Sequence, residues 1–160
     1  SLNMPVEAVE HEYPLMVEEY CLINGSSGSG RMRGGMGVAR EVRALSDDTT
    51  FSGRADSFIT AAEGYDGGLP GSHCRIIRNF GSQNEIVMAP KQRLISLTAG
   101  ERIRMETPGG GGLGDPSGRS IDDLAVDLED QRISEARARL DYGNELTEKA
   151  LKIISKSNPE

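Results

Sequence analysis

Three glycine-dense stretches constrain this chain more than any other feature: GSSGSGRMRGGMG at 25–37, GYDGGLPG at 64–71 and TPGGGGLGDP at 107–116. Glycine loses more backbone freedom on folding than any other residue, so runs of it disfavour regular helix or strand and need tight local contacts to hold one conformation. The three stretches are therefore expected as loops. They divide the remaining sequence into segments short enough to be single strands or hairpins.

Between and before these loops, β-formers recur. Residues 6–10 and 14–23 hold them in partial alternation with Pro14 between, and read as two strands. VAREVRAL at 38–45 sets Val38, Arg40, Val42 and Ala44 against their neighbours. After the Asp47-Asp48 turn comes TTFSGRADSFIT at 49–60, so a hairpin is expected there. Further strands are expected at 73–80, 84–88, 92–97 and 101–106, separated by the turn signals Gly81-Ser82, Ala89-Pro90 and Ala99-Gly100. Short strands at close spacing point to a sandwich or barrel.

Beyond residue 116 the period changes from two to that of a helix. Ile121, Leu124, Ala125 and Leu128 recur on one face, and Ser120 with Asp123 has the form of a capping box. Asp122, Asp123, Asp127, Glu129 and Asp130 read as that helix's solvated face. A second helix at about 134–141 is expected to bury Ala136 and Leu140 and to close at Gly143. ELTEKALKIISK forms a third, supported by Glu145–Lys149 and Glu148–Lys152 pairs and ending before Pro159. The fold class is thus α+β and mainly β: an antiparallel β-sandwich or barrel-like domain over 1–116 carrying the three loops, with a helical appendage over 117–160 packed on the same domain.

Composition excludes several function classes. A net charge of −7 disfavours nucleic acid, whose backbone is bound by clustered Lys and Arg. No run approaches the roughly 18–20 apolar residues of a membrane span, and Glu7, Glu10, Glu12, Glu18 and Glu19 are the reverse of a signal peptide, so a soluble cytoplasmic protein is expected. Cys21 and Cys74 have no zinc-site spacing and read as reduced thiols. His11 and His73 are the only histidines, too few for a His-rich metal centre. The opening Ser1-Leu2-Asn3, with Met first at position 4, reads as an expression remnant or a segment of a longer polypeptide.

Three motifs in order resemble the hydantoinase B/5-oxoprolinase family, which also includes a subunit type of acetone and acetophenone carboxylases. Asn3-Met4-Pro5-Val6-Glu7, followed by Glu10 and Tyr13-Pro14, is similar to the family's Asn-Thr-Pro-x-Glu segment, with Met4 in place of Thr. Residues 30–37, GRMRGGMG, resemble its Gly-Arg-x-Arg-Gly-Gly-x-Gly loop. The most specific is ETPGGGGLGDP at 106–116, with Asp141-Tyr142-Gly143 following. The resemblance spans residues 3–143 and implies the carboxyl-terminal portion of a B-type subunit. It implies further that the main catalytic and metal groups lie in an amino-terminal portion and that a hydantoinase A-type partner handles ATP. ATP and a divalent metal are then expected in the complete enzyme and none bound by this chain alone. No catalytic residue and no metal ligand is assigned within residues 1–160.

Within the chain, Gly109, Gly110, Gly111 and Gly112, completed by Asp115, are candidates for a substrate or anion loop, because glycine lets backbone N–H groups approach a negative charge closely. The competing reading is a sharp turn or tight packing. The run is no Walker loop, since no Gly-Lys-Ser or Gly-Lys-Thr follows it. Arg31 and Arg33 can fork onto a carboxylate or phosphate, or serve as ion-pair or interface residues. Glu7, Glu10 and Glu12 can ligate a hard cation, although strand alternation would leave most of them in solvent. The functional expectation is a subunit of an ATP-dependent enzyme hydrolysing cyclic amides such as hydantoin or 5-oxoproline. A ketone carboxylase of acetone or acetophenone type, and a non-catalytic assembly domain, stand beside it.

Overall fold

The computed structural model describes residues 3–157. The chain divides into two compact units between which it passes repeatedly: one comprises Ser1–Cys21, Val38–Ile59 and Cys74–Thr107, the other Leu22–Gly37, Thr60–His73 and Pro108–Glu160. The units therefore do not part at residue 116. All three glycine stretches belong with the helices and not with the strands, because their backbones are bonded to one another.

In the first unit, alternation builds an open five-stranded sheet in the order β1 (Leu15–Leu22), β2 (Val38–Ala44), β7 (Arg102–Glu106), β4 (Arg75–Arg78) and β5 (Ile86–Val87). A second, two-stranded sheet joins β3 (Thr49–Arg54) to β6 (Lys91–Leu97). Period two sends Val42 of β2 and Ile103 of β7, which stand opposite one another, to the same face. Ala44, Ile76 and Ile103 from the large sheet and Leu97 from the small one form one buried cluster, flanked by Phe51, Ala55, Phe58 and Met88. The expected sandwich-like mainly-β architecture is present, and neither sheet closes into a barrel.

Two local expectations are corrected here. Residues 38–45 and 49–60 do not form a hairpin: β2 pairs β7, with Glu41 opposite Arg104, while β3 pairs β6. The Asp47-Asp48 turn reverses the chain but does not choose the sheet. That choice follows from the apolar face shared by Val42, Ala44 and Ile103, over which Phe51 and Leu97 close. Residues 6–10 are helical, not extended: α1 (Val6–Glu12) opens at Pro5 and ends where Tyr13 is held extended before Pro14. Five residues of partial alternation do not separate the two states when Glu and Ala, both good helix formers, dominate the segment. Glu10 then accepts from the Val17 N–H at 2.8 Å, covering a backbone donor of β1.

In the second unit, α2 (Ile121–Glu129) is capped as expected, with the Ser120 hydroxyl accepting from the Asp123 N–H. Leu124, Ala125, Ile133, Ala138, Tyr142 and Ala150 make its core, drawn from α2, α3 (Glu135–Tyr142), α4 (Asn144–Ser157) and the α2–α3 link. The buried face of α3 is Ala138 and Tyr142, four residues apart; Ala136 and Leu140 are exposed, Leu140 at 78%. The α3 sequence is polar on nearly every side, so its apolar positions carried too weak a period to fix the face. Gly143 closes α3 at φ +83°, ψ 160°, a region open essentially to glycine alone. Glu145 pairs with Lys149 at 2.6 Å, whereas Glu148 accepts from Arg139 at 2.6 Å in place of Lys152. Pro159 lies outside the described residues, as do Ser1 and Leu2. No helix among the described residues is long and apolar enough to cross a membrane.

Candidate functional site

The glycines of the second unit meet backbone, not ligand. A Cβ on Gly109 would lie 1.9 Å from the Ser26 carbonyl oxygen, one on Gly111 2.0 Å from that of Glu63, and one on Gly112 2.2 Å from that of Ser29. The relation is mutual, since a Cβ on Gly34 would lie 2.1 Å from the Gly110 oxygen and one on Gly68 2.1 Å from the Gly112 oxygen. None of these five adopts a positive φ. Their value is close approach rather than left-handed backbone, the same steric demand that reserves the axis of the collagen triple helix for glycine.

Hydrogen bonds follow the contacts. Gly110 donates to the Gly35 carbonyl at 2.9 Å and accepts from Gly28 at 2.8 Å; Gly112 donates to Leu69 and accepts from Tyr65, both at 2.9 Å. The Gly109 N–H reaches the Ser72 hydroxyl at 3.1 Å. Met32 and Leu113 exchange a pair of 2.9 Å bonds. The three stretches thus form a three-segment backbone cluster, and the N–H groups of Gly109, Gly110 and Gly112 already have acceptors within it. Asp115 caps the following turn at Pro116–Gly118, accepting from the Ser117 N–H at 2.8 Å, a bond that holds its carboxyl below the usual range. Asp115 is not joined to the glycine donors by any of these bonds.

Of the two candidate arginines, Arg31 is exposed, with its stem beside Gly114 and Gly118. Arg33 points to Asp127: its Nε lies 3.1 and 3.2 Å from the two carboxylate oxygens, and its Nη1 donates to the Gly34 carbonyl at 2.9 Å. Asp127 departs from its expected place. Its position among the acids of α2 suggested solvent, yet it is 1% exposed and receives three guanidiniums. Arg119 donates to Oδ2, and Arg132 Nη1 stands 3.5 Å from Oδ1. Asp127 therefore ties the first glycine stretch, the end of the third and the α2–α3 link to one helix position. A second tie is made by Asp141, which accepts from Ser29 at 2.7 Å and Arg137 at 2.6 Å. The grouping of Arg119, Asp127 and Arg132 escapes sequence reasoning because helical periodicity places Asp127 without saying what meets it. The one available signal is Arg33, which needs a carboxylate.

In the first unit, a row of charge crosses one face of the large sheet. Glu106 accepts from Arg75 and Arg104, each at 2.8 Å, and Arg104 also reaches Glu19. Glu41 lies 3.5 Å from Arg104 and 2.9 Å from Arg102, although its oxygen toward Arg102 is out of hydrogen-bond alignment. Glu41, Arg104 and Glu106 are buried, and the Arg104 guanidinium lies 4.4 Å from the Phe80 ring centroid. Burial pushes the Glu106 carboxyl upward, but the bonds from Arg75 and Arg104 outweigh it and leave it below its ordinary value. Glu19 is lowered chiefly by the Cys21 thiol, then by Arg104, and the same contact with Glu19 raises the thiol. Cys21 and Cys74 are both free, and Cys74 is raised mainly by burial. Opposed charges at paired strand positions hold a register. Glu7, Glu10 and Glu12 are spread around the short α1, with Glu10 engaged on Val17.

The motif stretches at 3–14, 30–37 and 106–116 lie inside a matching family model, hydantoinase B/oxoprolinase, which covers residues 1–116. The chain belongs to this family. A B-type component of a D-/L-hydantoinase from Pseudomonas sp. (strain NS671), so described from its own sequence, is 35% identical over 147 residues, covering 91% of this chain and 25% of that protein. The structure of an ATP-dependent caprolactamase from Pseudomonas jessenii superposes with a TM-score of 0.71 at 26% identity, over 93% of this chain and 27% of that one. A nucleotide-free acetone carboxylase shares the fold, with a TM-score of 0.76 at 19% identity over 96% of this chain and 26% of that one. The chain thus spans about a quarter of the length of its hydantoinase B relatives.

Proposed function

We propose that residues 1–160 are a supporting part of a B-type subunit in an ATP-dependent enzyme that opens cyclic amides of hydantoin, 5-oxoproline or lactam type. The family match over residues 1–116 carries this reading. An amide carbonyl is a poor electrophile; ATP converts its oxygen into a leaving group, after which water completes hydrolysis. Such an intermediate needs a walled, water-poor site held in register. A glycine cluster locked backbone to backbone, and a sheet face crossed by buried ion pairs, supply rigidity of that kind. Most of the donors that could line an anion loop are spent on the cluster itself, which favours a scaffold role over direct catalysis.

The companion is a hydantoinase A-type subunit that handles ATP, with the divalent metal held in the remainder of the B-type subunit; the cytoplasm is the compartment. ATP-dependent carboxylation of a ketone is the second reading, favoured by the fold shared with acetone carboxylase. The test is substrate-stimulated ATP hydrolysis by an A-type subunit combined either with residues 1–160 or with a complete B-type subunit containing them. Stimulation by 5-oxoproline, hydantoin or caprolactam only with the complete subunit is the expected result. Stimulation with residues 1–160 alone would overturn the supporting role, and stimulation by acetone with bicarbonate alone would move the activity to the carboxylases.

A further inference from the structure

The cleft around Asp127 holds more positive charge than its structural role uses. It is a small opening of about 260 Å³ lined by Met32, Arg33, Arg119, Asp123, Val126, Asp127 and Arg132, all in the second unit. Each guanidinium offers five N–H donors, and here three of them share one buried carboxylate. Arg33 spends its Nε on Asp127 and its Nη1 on a carbonyl. Arg132 divides itself between Asp127 and the exposed Asp130, the latter at 2.6 Å. Arg119 is 8% exposed, gives one Nη2 bond to Asp127 and rests 5.7 Å from the Tyr142 ring centroid, yet its buried Nε–H has no acceptor. A buried donor on a charged group without an acceptor is costly enough to call for a ligand.

We infer that this cleft binds the carboxylate of a small aliphatic acid. Charge selects a monoanion: three guanidiniums against Asp127 and Asp130 leave one positive charge, while Asp123 at the rim is exposed and screened, and would repel a dianion more than a monoanion. Guanidiniums fork onto a carboxylate with two parallel bonds. Size selects a small headgroup, because the opening lies below the roughly 300 Å³ at which pockets for whole drug-sized ligands begin. The exposed side chains of Met32 and Val126, 57% and 47% accessible, supply an apolar wall for a short alkyl chain. The inference does not depend on which reaction the complete enzyme performs.

The experiment is a titration of the 160-residue chain with sodium butyrate, followed by NMR on the arginine Nε–H signals, with sodium chloride and inorganic phosphate as parallel arms. Saturable shifts at Arg33 and Arg119 with butyrate, absent with chloride and weaker with phosphate, are expected. Arg132→Gln should weaken the apparent affinity by about tenfold or more, as expected for loss of a charged hydrogen-bond donor. Met32→Glu, which places a negative charge at the exposed rim and leaves the buried arginines in place, should abolish saturation while the fold is retained. Shifts that grow linearly, that chloride reproduces, or that Met32→Glu leaves unchanged overturn the site. Tighter binding of phosphate than of butyrate overturns the choice of ligand.

Discussion

Gly112 and Gly35 illustrate how two residues of one type in neighbouring stretches can have opposite tolerances. A Cβ at Gly112 would sit 2.2 Å from the Ser29 carbonyl oxygen, whereas one at Gly35 would meet nothing within 4 Å. Gly112→Ala should cost at least about 1–3 kcal/mol, the range for overpacking, since backbone rather than a flexible side chain must move. Gly35→Ala should stay within about 0.5 kcal/mol. Urea denaturation of the two variants beside the parent checks this, and equal midpoints would refute the close-approach account. Asp127 is the other sensitive position. Removing its charge leaves three guanidiniums without their shared partner, and Asp127→Asn should lose about 3–5 kcal/mol, as for breaking a buried ion pair. A loss below that of the exposed Asp122→Asn would mean that Asp127 is no anchor. Neither contrast is legible in the sequence. It marks where glycines and acids lie, but contact partners up to a hundred residues away decide what each one does.

At the scale of elements, the strands and the last three helices are readable because each carries a strong period, a cap or a turn, and these are local signals. Strand partnership is not, as β2 and β3 show: their connecting turn is local, whereas their sheets are fixed by apolar faces assembled from distant segments. The turn leading into β7 gives a prediction at this scale. Glu101 accepts from Arg78 and Asn79 and from the Thr98 N–H, and these bonds, Arg78 foremost, hold its carboxyl at about 2 against an ordinary 4.5. The folded value is depressed, so the stabilisation is fully present above pH 4.5 and is lost as pH falls toward 2. Denaturation midpoints measured at pH 5 and pH 3 should drop further for the parent than for Glu101→Gln, and parallel drops would show that this carboxylate does not couple to folding. Gly143 ends α3 where other residues are strained, so Gly143→Ala should cost roughly 1–3 kcal/mol in the same assay.

At the scale of the whole molecule, the family is legible from motif order, because the glycine stretches that carry the resemblance are those the backbone cluster cannot replace. The hub at Asp127 is not, since it forms only when the first and third stretches meet α2. The chain covers about a quarter of its hydantoinase B relatives, and its architecture is that of a support: a sheet held in register by ion pairs and a glycine cluster pinned to helices. The central claim is that this support belongs to an ATP-driven opener of cyclic amides. The most direct measurement is mass-spectrometric identification of the product formed by the complete B-type subunit with its A-type companion, ATP and 5-oxoproline or caprolactam. The account predicts the ring-opened amino acid together with ADP. A carboxylated ketone formed from acetone and bicarbonate, with the cyclic amides returned intact, would contradict it.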